Sequence, residues 1–433
     1  MIVRLLNRGS AEVRRITSSL GFIPTIISIL FGLAAITLLW ANTTEITTFL
    51  LENAPSVVIK DGDTARVILS TVIGGLLSLT VFTFTMVMAQ LNRAASNYSP
   101  RLLPGLISTT RHQVILGIFL GAILFCLIVL ITIEPSDDSY QLPGLAILLS
   151  VLLAISSLGI FVYFIHSISQ SIQVTNILQR IADETVQRLD ELLETDERNQ
   201  HASKPDFKEA MVVRSNKTGY FQVCNRAILI KLAIKHDLLL EVIPLQGEFV
   251  LENTRLMRLS KKVDEEVEEE MRSCFQFFGD GYVKDNYALG FKYITEIAVR
   301  AMSPGTNDPG TALSAINHLT HLTARRMMFD DYEIHFDEDG EPRAIISVIS
   351  LEELLYVIFA ALRLYCKHDA VIVFKLLQMF DYLLQQPMQE NSRHDEVLKD
   401  ELRVLIADAR ESLTNEKDLK MLESRIEKLG CDI

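Results

Sequence analysis

The sequence predicts a membrane protein with four transmembrane α-helices followed by a cytoplasmic α+β domain that is mostly helical. Four long apolar segments lie within the first 165 residues. Each is long enough to cross a bilayer core of about 30 Å at about 1.5 Å per residue. The apolar share of the chain, 49%, is high for a soluble protein. Residues 1–165 hold 9 Lys or Arg and 8 Asp or Glu, whereas the remainder holds 32 and 46 and predicts a soluble, acidic domain.

The predicted spans cover residues 21–41, 67–91, 114–133 and 144–165, within a transmembrane domain of residues 1–165. Arginines precede the first span, as they precede the apolar core of a signal peptide. This apolar run is too long for a typical signal core, and no small-residue cleavage site follows it, so we expect a retained anchor. In the third span, Gly117-x-x-x-Gly121 is expected to let a second helix approach closely.

Loop charges predict the orientation, because Lys and Arg favour the cytoplasmic side of a membrane. The N-terminal segment and the connection at residues 92–113 carry arginines, whereas the connections at residues 42–66 and 134–143 carry mostly acidic residues. Both patterns place the N-terminus and the C-terminal domain in the cytoplasm. The five cysteines are scattered singly, which fits a reducing compartment.

The second span is unusual because hydroxyl side chains and glycines interrupt its apolar run. Positions seven apart nearly superimpose on an α-helix, so several small or polar residues share one face. This face supplies candidates for lining a pore: Thr71, Gly75, Ser78, Thr85 and Asn92. The candidates for its cytoplasmic mouth are Gln90, Arg93 and Arg101. The alternative is a packing face whose hydroxyls bond to carbonyls of their own helix.

Residues 166–205 are predicted to form a connecting helix and a linker. Residues 166–193 contain no Gly or Pro and place apolar residues at helical intervals, so we expect one long helix to leave the membrane. A polar, acidic linker follows, and the cytoplasmic domain is expected to cover residues 206–433.

Short strand-like segments between residues 211 and 259 resemble in pattern the small β-barrel of biotinyl and lipoyl carriers. A carrier needs an exposed lysine at its hairpin tip, and no lysine stands between residues 239 and 258. We therefore expect a barrel-like packing module, since fold alone does not establish function. Further on, the acidic run around Asp339-Gly340 has the wrong spacing for a calcium loop, and a β-hairpin is expected there.

The segment Ser303-Pro304-Gly305-Thr306-Asn307-Asp308-Pro309 is expected to end one helix and start another, with Asp308 as the N-cap and Pro309 at the first helical position. A helix N-terminus can also hold an anion, although Asp308 would repel one. The residues of this turn that are candidates for a cytoplasmic site are Ser303, Asn307 and Asp308.

Several function classes are disfavoured. An acidic domain without a Lys/Arg cluster is a poor partner for nucleic acid. His318 and His321 lie three apart on a predicted helix, but the sequence places no third metal ligand beside them. The motifs of phosphate loops, nucleophile elbows, zinc hydrolases and dinucleotide sites are absent from the sequence. We therefore predict no enzyme, no cofactor and no metal site.

Three segments carry a family resemblance: VFTFTMVMAQLNRAASNYSPRLL in the second span, FVYFIHSISQSIQVTN from Phe161, and IAVRAMSPGTNDPGTA. They resemble bacterial predicted membrane proteins grouped as domain-of-unknown-function family 2254. The resemblance runs nearly from end to end. It implies a four-span half and one cytoplasmic domain in the inner membrane of a bacterial cell, and it brings no catalytic residues.

Two hypotheses for the function follow. The first is a homo-oligomeric, channel-like pore in contact with membrane lipid, lined by the second span and passing an ion or a small ligand. Arginines at its inner mouth would favour anions. The second is a non-conducting sensor or scaffold, whose cytoplasmic domain binds a ligand or protein partner and passes a change through the connecting helix.

Overall fold

The computed structural model describes residues 21–41, 59, 61–97, 110–133, 143–171, 173–198, 204–205, 207–278, 286–386 and 392–429. The chain divides into two compact units, Met1–Gln173 and Val174–Ile433. The first is called the membrane unit here, and the second the soluble unit.

The membrane unit contains four helices that are long and apolar enough to cross a bilayer, which confirms the predicted number of spans among the described residues. They are α1 (Phe22–Trp40), α2 (Gly62–Asn97), α3 (Thr110–Ile131) and α4 (Gly144–Ser171). The apolar part of α2 runs from Gly62 to Ala89, so it begins before the predicted span. The helix ends at Asn97, three residues before Pro100.

The two glycines of α3 form the contact with α1. A Cβ atom on Gly117 would lie 3.0 Å from the Pro24 backbone, and one on Gly121 would lie 2.8 Å from Phe31 Cγ. Such distances are shorter than those that real side chains keep, so only glycine allows this approach. The expectation that Gly117-x-x-x-Gly121 admits a second helix is therefore confirmed, and the second helix is α1.

The predicted long helix through residues 166–193 is wrong. Helix α4 ends at Ser171, and a separate helix, α5 (Val174–Arg198), begins the soluble unit. Between them, the Gln173 N–H donates to the Gln170 carbonyl at 3.3 Å, a tighter turn than the α-helical one. Helix α5 buries one apolar stripe, including Ile177, Ile181 and Leu189, and exposes a charged face.

The soluble unit is an α+β domain with eight strands and eight further helices after α5 among its described residues. The strands are β1 (Met211–Arg214), β2 (Gly219–Cys224), β3 (Leu240–Val242), β4 (Phe249–Val250), β5 (Arg255–Leu259), β6 (Phe275–Phe278), β7 (Tyr332–Phe336) and β8 (Pro342–Ser347). The helices are α6 (Arg226–Lys235), α7 (Glu265–Ser273), α8 (Tyr287–Ala301), α9 (Pro309–Arg326), α10 (Leu351–Cys366), α11 (Ala370–Leu384), α12 (Ser392–Ser412) and α13 (Glu416–Leu429).

The strands form two open sheets, so the predicted barrel-like module is not found in the described part of the chain. The larger sheet has the order β1-β5-β3-β8-β7, and the smaller has the order β4-β2-β6. Strand β3 pairs in parallel with β8, and the other pairings are antiparallel. The barrel prediction fails because β3 takes a partner about a hundred residues further along, which no local pattern reveals.

The predicted hairpin is confirmed. Strands β7 and β8 pair across a turn in which Gly340 has φ of +82°, a left-handed conformation that glycine adopts without strain. The carboxylate of Asp337 accepts from the backbone N–H groups of Asp339 and Glu341, so it closes the turn instead of binding calcium. The last described part of the chain forms two helices, α12 and α13.

A fully buried arginine joins four elements of the soluble unit. Arg326, at the end of α9, donates to Tyr287 Oη of α8 at 3.0 Å and to the Phe329 carbonyl at 2.9 Å. It also donates to the Ile349 carbonyl at 2.8 Å and to the Asp331 carboxylate. Every partner of this buried charge is thus a specific oxygen atom, which is the condition for burying a charge at acceptable cost.

Candidate functional site

The predicted pore-lining face of α2 lies on the outside of the membrane unit. Thr71, Gly75, Ser78, Thr85 and Asn92 are all exposed, although three other candidate spans are present. The opposite side of α2 packs into the unit through Leu69, Leu76 and Thr83. Among the described residues, the other three candidate spans therefore do not cover the predicted face.

The hydroxyls of this face bond back to their own helix. Thr71 Oγ1 donates to the Val67 carbonyl at 2.7 Å, and Ser78 Oγ donates to the Gly74 carbonyl at 2.9 Å. Thr85 makes the same contact one turn back, at 2.8 Å. This is the arrangement that the packing alternative predicted. Because a hydroxyl oxygen also accepts hydrogen bonds, each side chain keeps an acceptor on the helix surface.

Gly74 and Gly75 form a notch with nothing opposite it. No atom lies within 4 Å of the Cβ position of either residue, in contrast to Gly117 and Gly121 of α3. In α3 the missing side chains explain a contact within the chain. In α2 they explain no contact among the described residues.

The side chains of the mouth candidates lie outside the described part of the chain. The backbone of Gln90 and Arg93 belongs to α2, but their side chains are not described, and the same holds for the whole of Arg101. The electrostatic prediction for the inner mouth therefore stays a prediction.

A second set of hydroxyls, which the sequence did not separate from the first, is buried. Thr80 and Thr83 of α2 are 8% and 2% exposed, and Ser150 and Ser157 of α4 are 0% and 1% exposed. Thr80, Ser150 and Ser157 bond back to their own helices. The spacing of Leu76, Thr80 and Thr83 along one face is the signal that could have distinguished these buried hydroxyls from the exposed ones.

The turn at residues 303–309 has the predicted cap. Asp308 accepts from the Thr311 N–H at 3.1 Å and from the Thr311 hydroxyl at 2.6 Å. The Thr311 hydroxyl holds the pKa of Asp308 below its ordinary value of 3.8. Ser303 Oγ donates to the Arg300 carbonyl at 2.7 Å, and Asn307 adopts φ of +44°. The carboxylate thus takes the place that an anion would need at the N-terminus of α9, which favours the structural interpretation.

The structure also brings together a polar cluster that the sequence analysis missed. Glu333 of β7 is 8% exposed, and its Oε2 accepts from Arg226 of α6 at 2.6 Å. His335, two residues along the same strand, places its Nε2 at 3.7 Å from that oxygen. The Cys224 thiol is buried beside them. A glutamate and a histidine at alternate positions of an otherwise apolar strand were the available signal.

Burial controls the ionisation of this cluster. Burial raises the pKa of the Cys224 thiol to about 11, so the thiol is neutral and not a nucleophile. Burial also lowers the pKa of His335, while Glu333 opposes that shift and Arg226 adds to it. In the described part of the chain, no three His, Cys, Asp or Glu side chains are placed to hold a metal ion, and this includes His318 and His321.

Comparison with known proteins gives the family. The model of a family described as "Predicted membrane protein (DUF2254)" matches residues 17–382. The chain is 24% identical over 371 residues to the Uncharacterized protein Rv1290c of Mycobacterium tuberculosis, a match that covers 83% of this chain and 70% of the relative. The Uncharacterized protein Mb1321c of Mycobacterium bovis matches with the same identity and coverage. No solved structure matches the chain. Because the family model covers most of its length, the chain belongs to the DUF2254 family of predicted membrane proteins.

Proposed function

We propose that the chain is the subunit of a homo-oligomeric membrane pore in which the polar face of α2 lines the path. One observation carries this proposal: Thr71, Gly75, Ser78 and Thr85 form a polar face of a membrane helix that the other described residues leave exposed. Polar groups that face lipid gain nothing, whereas polar groups around an aqueous path replace part of the hydration of a passing ion.

The chemistry of the face suits a narrow, weakly binding path. Its hydroxyl protons are used within the helix, so oxygen lone pairs and glycine backbone point outward. Such a surface offers weak, repeated contacts, and weak contacts allow an ion to leave as well as to enter. The proposed selectivity comes from the inner mouth, where Arg93 and Arg101 would favour anions.

The proposal includes an orientation. The soluble unit lies in the cytoplasm of a bacterial cell and regulates the pore in its inner membrane. The supporting observation is the distribution of Lys and Arg in the loops, which follows the rule for cytoplasmic segments.

Ion flux from proteoliposomes tests the pore. The wild type is compared with Ser78→Leu, which places a branched apolar side chain on the exposed α2 face. Gly159→Leu is the matched control, because Gly159 is an exposed position of α4 with nothing within 4 Å of its Cβ position. We expect flux that Ser78→Leu abolishes and Gly159→Leu leaves unchanged. Equal flux in both variants would exclude this face as the path.

Cross-linking tests the oligomer separately. A cysteine replacing Gly75 is expected to form a disulfide between two copies in the membrane, whereas a cysteine replacing Gly159 is not. The native cysteines among the described residues are buried, so they do not compete. Monomeric Gly75→Cys protein under oxidation would contradict the oligomeric pore, whatever the flux.

A non-conducting sensor is the second candidate, and a different observation favours it. The helix α5, which directly follows α4, packs closely against α8 and α9 within the soluble unit. A helix fixed in that way can transmit a change between the ligand-binding domain and the membrane. Absence of flux at every voltage, pH and osmotic strength, in protein whose oligomeric state is intact, would favour this function over the pore.

A further inference from the structure

The edge strand β7 carries a buried carboxylate that is only half satisfied. One oxygen of Glu333 accepts from Arg226, but the other oxygen, Oε1, is buried and has no hydrogen-bond partner in the part of the chain that the structure describes. An unpaired buried acceptor destabilises the folded state, and more so when it is charged. The Glu333 carboxylate is therefore oriented by Arg226 through Oε2, while its other oxygen, Oε1, remains an unused acceptor.

His335 brings a second unused polar atom into the same cluster. Its Nε2 is also buried without a partner within the described residues, and it lies 3.7 Å from Glu333 Oε2. That distance is too long for a hydrogen bond. A neutral imidazole at this position thus leaves two polar atoms unsatisfied in the same small volume.

The charges around His335 come from two elements. Glu333 lies on the same strand, and Arg226 is the first residue of α6. The other members of the cluster are neutral: the Cys224 thiol is protonated, and the residue opposite His335 on β8 is Ala344. His335 therefore faces one carboxylate that is already paired with one guanidinium.

We propose that His335 is a proton sensor, whose protonation places two cations beside the single carboxylate of Glu333 and weakens the link between β7 and α6. An imidazolium donates from both ring nitrogens and carries a positive charge. The cluster then holds two cations, the imidazolium and Arg226, and one carboxylate, so it gains an uncompensated positive charge. The pair that joins β7 to α6 weakens when the proton arrives.

The sign follows from the environment of the ring. Burial lowers the pKa of His335 in the folded protein. Above the ordinary histidine pKa of 6.5 the ring is neutral in both the closed and the open form, and the closed cluster keeps its full stability. As the pH falls below that value, the open form binds the proton first, so stability is lost on acidification.

The position of β7 allows protonation of His335 to affect helix α5. It is an edge strand of the larger sheet, and it contacts α5, the helix that follows the last membrane span. Loosening of this edge changes the surface on which α5 rests. The inference does not depend on the pore: it concerns the soluble unit alone and stands whether or not ions cross the membrane.

Hydrogen exchange of the full chain in lipid nanodiscs tests the sensor. Exchange is compared at about pH 7.5 and about pH 5.5, a range that brackets the ordinary histidine pKa, and each rate is corrected for the intrinsic effect of pH. We expect a several-fold acceleration of the amides in β7 and in the first turn of α6 at the lower pH. His335→Gln should remove the acceleration. His321→Gln, at an exposed position of α9, is the matched control and should retain it.

A second variant keeps the test decisive. If His335→Gln fails to fold, His335→Asn is the second variant: it also removes the titrating ring and should abolish the acid response. An acid response that persists in a folded His335→Gln or His335→Asn protein would overturn the proposal. So would a wild type whose β7 amides exchange equally at both pH values.

Discussion

Gly290 of α8 packs directly against Thr185 of α5. Among the described glycines of the soluble unit, none has a neighbouring side chain closer to its Cβ position. A Cβ atom on Gly290 would lie 2.9 Å from Thr185 Cβ and 3.0 Å from its Cγ2, and closer still to its hydroxyl. Thr185 is fully buried, and its hydroxyl is held by the Ile181 carbonyl. Helix α5 therefore belongs to the core of the soluble unit and is not a free stalk.

Replacing Gly290 by alanine is expected to destabilise the soluble unit. Alanine in place of glycine gains up to about 1 kcal/mol of helix propensity, but overpacking at this contact costs about 1–3 kcal/mol and outweighs it. The measurement is thermal unfolding, followed by a thiol-reactive dye that labels the buried Cys274 and Cys366 as they become accessible.

Gly305→Ala is the matched control for this contact, because nothing lies within 4 Å of its Cβ position. It should leave the unfolding temperature nearly unchanged. The double variant Thr185→Ala/Gly290→Ala should recover part of the loss, since it removes the Thr185 hydroxyl and Cγ2, two of the three atoms that the new methyl group meets. Equal unfolding temperatures for Gly290→Ala and Gly305→Ala would show that α5 and α8 can move apart without loss of stability, which would contradict the prediction.

In the membrane unit, Gly121→Ala is expected to weaken the contact between α1 and α3. The added methyl group would lie 2.8 Å from Phe31 Cγ and 3.1 Å from Phe31 Cβ, so both the ring and the first atom of its side chain would have to shift. The expected loss is about 1–3 kcal/mol. Faster labelling of the buried Cys126 on heating would report it. Gly159→Ala, on an open face of α4, should be neutral or slightly stabilising, and a similar loss there would refute the packing argument.

Substitution of the buried Arg326 by methionine is expected to cost about 3–5 kcal/mol, because it leaves Asp331 and several oxygen acceptors without their donor. Arg325→Met, one residue earlier, is the comparison. Arg325 pairs with Asp190, and both side chains are more than a third exposed, so the loss should stay at or below about 1 kcal/mol. Chemical denaturation of both variants separates the two values, and the prediction fails if they are alike.

Removal of the cap at Asp308 should destabilise α9 by about 1 kcal/mol in Asp308→Ala. Asp308→Asn should lose less, because an amide oxygen still accepts from the Thr311 N–H. The pKa of Asp308 is lowered, so its charged form stabilises the fold above the ordinary value of 3.8, and this contribution is lost as the pH falls through the folded pKa. The difference between wild type and Asp308→Ala in thermal unfolding should therefore shrink in acid. A difference that grew instead would show that the carboxylate opposes the cap.

Features set by neighbouring residues could be predicted from the sequence. The spans follow from apolar length, the Asp308 cap from its place before Pro309, and the hairpin from Gly340. Each depends on a few consecutive residues whose preferences agree. The exposed α2 face could also be predicted as a face, since helical spacing places Thr71 and Ser78 on one line.

Features set by distant partners could not. No Gly or Pro marks the break between α4 and α5 in the sequence. The two helices belong to different compact units, and residues distant in the sequence form each unit. The cluster at Glu333 joins residues more than a hundred positions apart, and Arg226 gives no local sign of its partner. Nor could sequence show that Thr71 is exposed while Thr83 is buried, since both are hydroxyls in the same apolar run.

The parallel pairing of β3 with β8 has a consequence for how the protein is made. Val242 leaves the ribosome about a hundred residues before Ile346, its partner in the sheet. Throughout that interval, the edge of β3 that later pairs with β8 has no strand partner. Such an exposed strand edge favours association with other chains. The larger sheet is therefore completed only late in synthesis, after all four candidate spans have been made.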